Sequence, residues 1–321
     1  MTTLDKISRA SVVGSGYMGG GIAQVLALAG YPVTLADVDA ATARESRERL
    51  IAQAAQYESL GLFAVDAAAT VADNLSAASS IEDAVSDADY ITEAVPEVID
   101  IKLGTLRRVA ASARTDAIIG TNTSAIPIED LAKEVRGPSR FLGVHWMNPA
   151  PFIPGVELIA GTATDPEVVG IVETFIRSLG KITARVADTP GFVANRLQFA
   201  LYKEALSIVE EGTATPEQVD AVVSSTFGFR LALFGPFAIG DMAGLDVYKG
   251  SYDTLERAYG QRFAAPGLLV DLIEQGRLGI KSGRGLLDIA DSEKDALVAY
   301  REQAYARLSA LRADLGPAPG L

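Results

Sequence analysis

The stretch Ala10-Ser11-Val12-Val13-Gly14-Ser15-Gly16-Tyr17-Met18-Gly19-Gly20-Gly21-Ile22-Ala23, running on through Gly30 to Pro32-Val33-Thr34-Leu35-Ala36-Asp37, decides the fold. Ile7 to Val13 is a short apolar run of the kind that forms a strand buried on both faces. Gly20 to Ala29 reads as helix, with Gly30 as its stop. Pro32 to Ala36 is again strand-like and ends on Asp37. Strand, glycine turn, helix and strand in this order make a βαβ unit. Residues 10–36 carry no charge, yet six glycines, two serines, Gln24, Thr34 and Pro32 interrupt them. A membrane span needs about 20 predominantly apolar residues, so the strand-turn-helix reading is preferred.

The turn has its own chemistry. Gly14, Gly16 and Gly19 occupy the first, third and sixth positions of a G-x-G-x-x-G motif. Such glycines permit a tight turn, a close approach of backbone to a pyrophosphate, and helix-on-strand packing, with the phosphates on the free N–H groups of the helix start. Asp37 follows Gly19 by 18 residues, at the end of the second strand, where a carboxylate meets ribose hydroxyls. It repels a 2′-phosphate, which favours NAD over NADP. Arg44 is the one nearby residue that argues the other way.

Outward from this unit the alternation continues. Apolar strands are expected at Tyr90–Val95, Ala117–Gly120, Phe141–His145 and Val156–Ile159, separated by helical or loop segments such as Lys102–Ala113, and a weaker strand, Ile182–Val186, closes the series. That pattern calls for an α/β domain with a mostly parallel, doubly wound, Rossmann-type sheet over residues 1–189. After Asp188-Thr189-Pro190-Gly191 the periodicity becomes helical. Val193–Gly212, Pro216–Phe227, Pro236–Tyr259 and Gly267–Gln275 define an all-α C-terminal domain over 190–321, with the Thr-Pro-Gly turn as hinge.

Composition narrows the chemistry. The 321 residues contain no cysteine and one histidine, which removes disulfides, thiolate metal sites and a cysteine nucleophile, and leaves no expected metal. A net charge of −13 disfavours nucleic acid. Met1–Lys6 lacks the pattern of a secretory signal, so a cytoplasmic location with no membrane partner is the expectation. Any imidazole chemistry falls to His145. It ends an expected strand, and the carboxyl ends of parallel strands are where open α/β sheets hold ligands. Glu157 lies 12 residues on, in the next strand segment. Neighbouring strands could bring the two side chains together as a base and the carboxylate that orients it.

The words around these residues carry more. They are the glycine turn with Tyr17 and Met18, Glu93-Ala94-Val95-Pro96-Glu97, Asn122-Thr123-Ser124, His145-Trp146-Met147-Asn148-Pro149-Ala150-Pro151, Val156-Glu157, and Asp188-Thr189-Pro190-Gly191 through Asn195-Arg196. With Gly235-Pro236-Phe237, Asp241-Met242-Ala243-Gly244-Leu245-Asp246 and Gly279-Ile280-Lys281-Ser282-Gly283, the chain resembles the L-3-hydroxyacyl-CoA dehydrogenase family from about Ile7 to Asp288. The resemblance implies an NAD-dependent oxidoreductase, associated with fatty acid metabolism, that interconverts a secondary alcohol at C3 of an acyl group and a ketone. It places His145 as base and Glu157 as its support. Ser124 and Asn195 match residues that bond the substrate oxygens. Glu97, Lys102, Asn122, Ser124, Asn148 and Lys281 match NAD contacts, and a homodimer through the helical domain is implied. Local readings of some of these residues stand beside the implied ones: Ser124 and Asn122 as a turn, Asn195 as a helix cap, Lys281 as a solvated charge.

Two departures bear on the substrate. Leu50 to Ile101 holds ten acidic residues and no Lys or Arg, an unfavourable field for the phosphates of CoA, and only Arg44, Arg47 and Arg49 lie nearby. Ile153-Pro154 ahead of the glutamate strand, and Trp146, are similar to the family's CoA-free branch, which includes L-gulonate, carnitine and pyridine-carboxylate dehydrogenases and lambda-crystallin. Three readings follow: a 3-hydroxyacyl-CoA dehydrogenase of short-chain substrates, the same chemistry on a CoA-free hydroxy acid or related alcohol, and a non-catalytic nucleotide-binding or structural protein.

Overall fold

A computed structural model describes residues 7–320; the N-terminal hexapeptide read above for a secretory signal, and Leu321, lie outside the described residues. Eight strands, β1 (Ala10–Val13), β2 (Val33–Ala36), β3 (Leu75–Ala77), β4 (Tyr90–Glu93), β5 (Ile118–Thr121), β6 (Phe141–Trp146), β7 (Gly155–Ala160) and β8 (Ile182–Val186), form one sheet in the order β3-β2-β1-β4-β5-β6-β7-β8. Every pairing is parallel except β6 with β7. The chain order reverses between β1 and β4, so the crevice beyond their carboxyl ends is the place for a ligand.

Helices cover both faces of the sheet. On one side α1 (Tyr17–Leu28), α2 (Ala40–Ser59) and α3 (Ala67–Asn74) lie over the β1–β3 end, and α7 (Pro166–Ser178) covers β7 and β8. Ile22, Leu26, Val172, Phe175 and Ile176 are their buried apolar contributions. On the other side α4 (Ile81–Val85), α5 (Ile99–Ser112) and α6 (Ile128–Ala132) bury Leu106, Val109, Ile128 and Leu131. The strand β3 has no counterpart among the sequence expectations. Its three residues, Leu75-Ser76-Ala77, are too few and too polar to show a period.

The chain divides into two compact units, the second beginning at Tyr202, inside α8 (Ala194–Glu210). The second unit contains α9 (Pro216–Ser225), α10 (Phe227–Leu231), α11 (Pro236–Ala243), α12 (Leu245–Tyr259), α13 (Gly267–Glu274) and α14 (Lys294–Leu315). Pro236–Tyr259, expected as one helix, is two. Gly244 takes φ +104° between them, outside the helical region that any continuous helix requires. The 22-residue α14 is a further helix that the sequence pattern does not announce, because its Ala, Leu and Arg residues are not sorted into one apolar stripe. Among the described residues no helix is long and apolar enough to cross a membrane.

Candidate active site and cofactor cleft

Strands β6 and β7 form the antiparallel pair of the sheet, and their register sets His145 directly opposite Glu157. Directly opposed residues point to the same face with Cβ atoms about 4.5–5.5 Å apart, short enough for their side chains to meet. His145 Nδ1 lies 2.9 Å from Glu157 Oε2, and both residues are buried. A carboxylate only accepts, so Nδ1 carries the proton and Nε2 keeps a free lone pair. The other oxygen, Glu157 Oε1, accepts from the backbone N–H groups of Val193 at 3.1 Å and Ala194 at 2.9 Å, where α8 begins. Burial pushes the Glu157 carboxyl up, but the bonds from His145, Ala194 and Val193 outweigh it and hold the group below its ordinary range. Glu157 is thus an ionised anchor with both oxygens in use. Phe192 lies against the imidazole, ring centres 5.7 Å apart.

Ser124 sits in the loop after β5, held from two sides. Asn195 Nδ2 donates to its carbonyl oxygen at 2.9 Å, and Glu97 Oε1 accepts from Thr123 Oγ1 at 2.6 Å, Ser124 N at 2.8 Å and Ala125 N at 3.0 Å. Burial raises the Glu97 carboxyl, and these bonds together with the Lys102 charge bring it below the usual carboxylate value. Beneath it Lys102, wholly buried, places Nζ 2.9 Å from Glu93 Oε1 and 3.4 Å from Glu97 Oε2. Glu93, equally buried, also accepts from Val95 N at 2.8 Å and Thr121 Oγ1 at 2.6 Å. A buried charge is tolerated only when paired and hydrogen-bonded on its remaining sites, and Glu93 meets both conditions.

At the carboxyl ends of β1, β2 and β4 lies a cavity of about 590 Å³. Gly14, Gly16, Tyr17, Met18, Asp37, Glu97, Asn122 and Ser124 line it. Gly14 takes φ +96° and passes so close to the backbone of Ala94 that a Cβ would sit 2.7 Å from it. A Cβ on Gly19 would fall 1.8 Å from the carbonyl oxygen of Gly14. At Gly16, by contrast, a Cβ would meet nothing within 4 Å: this is open space at the start of α1, the space that a pyrophosphate on the helix N-terminus needs. Asp37, half-buried just after β2, also lines the cavity with its carboxylate. The residues therefore fit a dinucleotide.

The profile described as "3-hydroxyacyl-CoA dehydrogenase, NAD binding domain" matches residues 9–189, and that described as "3-hydroxyacyl-CoA dehydrogenase, C-terminal domain" matches residues 191–289. The chain belongs to the 3-hydroxyacyl-CoA dehydrogenase family. It is an NAD-dependent oxidoreductase acting on CH–OH groups. It is 36% identical to a 5-formyl-3-hydroxy-2-methylpyridine 4-carboxylate 5-dehydrogenase of Mesorhizobium japonicum, over 92% of this chain and 95% of that one. It is 35% identical to a 3-hydroxybutyryl-CoA dehydrogenase of Mycobacterium tuberculosis, over 88% and 98%. Among solved structures, a 3-hydroxyacyl-CoA dehydrogenase of Archaeoglobus fulgidus superposes with a TM-score of 0.77 at 30% identity, covering 94% of this chain and 99% of that one.

Three first-unit residues expected at the cofactor of this dehydrogenase do not line the cavity. Gly19 packs under the turn, and Lys102 is spent on the two glutamates. Asn148 is exposed on the loop after β6. Lys281 lies in the second unit, where Nζ meets Asp246 Oδ1 at 2.7 Å and Oδ2 at 2.8 Å. Asn122 is half-committed, its Oδ1 accepting from Trp146 N at 2.8 Å. Asn195 is no helix cap; its amide faces the Ser124 carbonyl. Arg47 donates to the carbonyl oxygens of Leu75 and Ala72, and Arg49 to that of Ser15, so neither is a plainly solvated charge.

Sequence reasoning missed three supports. The N–H groups of Val193 and Ala194 have no side-chain signature. Glu93 stands within a longer motif and draws no notice there, although a glutamate ending a strand of apolar neighbours is itself a signal of a paired buried charge. Lys181 places Nζ 2.6 Å from the Ala150 carbonyl and 2.8 Å from that of Ile153, over the Trp146 ring at 5.6 Å. It secures the 150–153 loop between the two dyad strands, and burial lowers its pKa. Nothing in its local sequence distinguishes it from a surface lysine.

Proposed function

We propose that this enzyme interconverts an L-3-hydroxyacyl-CoA, of short chain such as 3-hydroxybutyryl-CoA, and the corresponding 3-ketoacyl-CoA. The observation that carries the alcohol-to-ketone chemistry is the buried His145–Glu157 pair with both glutamate oxygens in use, and the match to both 3-hydroxyacyl-CoA dehydrogenase profiles supports a CoA thioester as its substrate. NAD, when bound, supplies the hydride acceptor for the carbinol carbon. His145 Nε2 takes the hydroxyl proton as the C–H bond breaks, and Glu157 holds the ring in the competent tautomer while stabilising the imidazolium that forms. Ser124 and Asn195 hold the substrate oxygens. Gly14, Gly16, Tyr17, Met18 and Asp37 bind the cofactor, with Glu97, Asn122 and Ser124 at the same cavity and Gly19 and Lys102 supporting it. Asn148 and Lys281 keep the cofactor role that the family resemblance implies.

A second reading, the same chemistry on a CoA-free hydroxy acid or related alcohol, is favoured by one observation. The segment 50–101, which includes α3 and α4, offers no cation for the carrier's phosphates, and Arg47 and Arg49 are tied to carbonyls. NADH formation with a panel of 3-hydroxyacyl-CoAs, 3-hydroxy acids, sugar acids and carnitine decides between the two. Under the first reading 3-hydroxybutyryl-CoA turns over and free CoA competes with it at about millimolar or lower concentration. Turnover of a free acid with indifference to CoA establishes the second.

The second unit leaves Tyr202, Leu206, Val222, Leu231, Phe237 and Leu311 exposed, more apolar helix surface than a lone bundle of this size normally shows to water. A homodimer through these helices is expected, read as a sedimentation mass of twice the 33.7 kDa chain. A mass of one chain at micromolar concentration overturns it.

A further inference from the structure

The second residue of the glycine turn is not a spacer. Ser15, fully buried, directs both its backbone N–H, at 2.6 Å, and its hydroxyl to the same oxygen of Asp37, Oδ2. Asp37 Oδ1 accepts from Val38 N at 2.7 Å. The Ser15 hydroxyl has a single proton, and it goes to the carboxylate, so the Ser46 hydroxyl that lies 2.8 Å away is the donor in that second contact. Ser46 is on α2 and is itself buried. The Arg49 guanidinium, one turn further along α2, donates to the Ser15 carbonyl at 2.8 Å. The glycine turn therefore reaches the carboxylate through two groups of Ser15, and α2 backs Ser15 through two more, by way of a residue that contributes no atom to the cavity lining.

The physical consequence is orientation. A carboxylate on a strand end rotates about χ2 with little preference. Held through Oδ2 by a charge-assisted pair of bonds, it is fixed in the plane that leaves a lone pair of Oδ1 free, on a residue that lines the cavity. Preorganisation of this kind improves affinity by removing an ordering cost from binding. It also removes the motion by which the carboxylate could swing away from a 2′-phosphate, so it sharpens discrimination against NADP.

We infer that Ser15, backed by Ser46, is a positioning residue that sets the preference for NAD over NADP by locking Asp37. This rests on the reading of Asp37 as the ribose-binding carboxylate, and the experiment separates the two. NADH and NADPH affinities are measured by fluorescence titration, and KM for NAD by initial rates, for the wild type, Ser15→Ala, Ser46→Ala and Asp37→Ala. The adenosine-2′-deoxyribose analogue of NADH is titrated in parallel. Ser15→Ala is expected to weaken NADH about three- to tenfold, with the change in KM for NAD exceeding that in kcat, and to narrow the NADH to NADPH ratio by a similar factor. Ser46→Ala acts in the same direction with smaller size. The decisive signature is coupling: removing the 2′-hydroxyl costs the wild type more affinity than it costs Ser15→Ala, an outcome that general loosening of the turn does not give. If Asp37→Ala weakens NADH while Ser15→Ala and Ser46→Ala bind both cofactors as the wild type does, the lock is overturned and the ribose role stands. If Asp37→Ala leaves NADH affinity unchanged, the ribose role itself is wrong. Should Ser15→Ala not fold, Ser46→Ala with the deoxy analogue carries the same test.

Discussion

Replacing His145 by Gln is expected to lower kcat by about 10²–10⁴-fold, the span typical of a lost general base, while NADH still binds. Gln is the informative choice because its side-chain amide can donate to Glu157 Oε2 in place of Nδ1, so the carboxylate keeps its partner and the strands keep their packing. What disappears is the lone pair on Nε2. The measurement is initial-rate kinetics alongside an NADH titration of the same preparation. Turnover within tenfold of the wild type, at unchanged cofactor affinity, assigns the proton transfer to another group and withdraws the proposed mechanism.

The second large effect concerns stability. Lys102→Met leaves Glu93, which has no exposure to solvent, with a charge whose cationic partner is gone. Breaking a buried pair by removing one member costs about 3–5 kcal/mol, since the remaining ion keeps its desolvation penalty without the attraction that offset it. The expected result is a fall of that size in denaturant unfolding free energy for the β1–β8 unit. Adding Glu93→Gln to Lys102→Met should recover a large part of it, as the neutral amide no longer demands a counter-charge. A single variant as stable as the wild type shows that the pair is neutral to folding. Because Lys102 also touches Glu97, and Glu97 holds three donors of the Thr123–Ala125 loop, weakened NADH binding accompanies the loss of stability.

Much of this architecture was legible in the residues. The glycine turn and Asp37 announced the first βαβ unit because G-x-G-x-x-G is a backbone requirement, visible wherever side chains are absent. Seven of the eight strands were legible, six as apolar runs because their residues are largely buried on both faces, and the largely exposed β8 as a weaker signal. What escaped was whatever depends on partners distant in the chain. The antiparallel setting of β6 and β7 is a matter of topology, and local periodicity is silent about it. The same holds for Lys181, whose three ligands are backbone carbonyls about 30 residues away, and for Ser15, which in sequence is only the unspecified position of a motif. Lys102 was legible only through family likeness, and it lies buried behind the cavity wall rather than on it. The helix α14 was missed for a different cause, the lack of a sorted apolar face.

The two members of the dyad stand across from each other in a single hairpin, in register His145 to Glu157. A shift of one residue in that pairing would turn one partner to the opposite side of the sheet, so the arrangement is digital and drifts by no small steps. The connecting residues 147–154 have no such register: they are moored by Lys181 and by the Phe152 ring against Tyr57 and Phe63. The dyad is thus secured by strand register, and the loop beside it by contacts outside the hairpin, so the two can vary independently of each other.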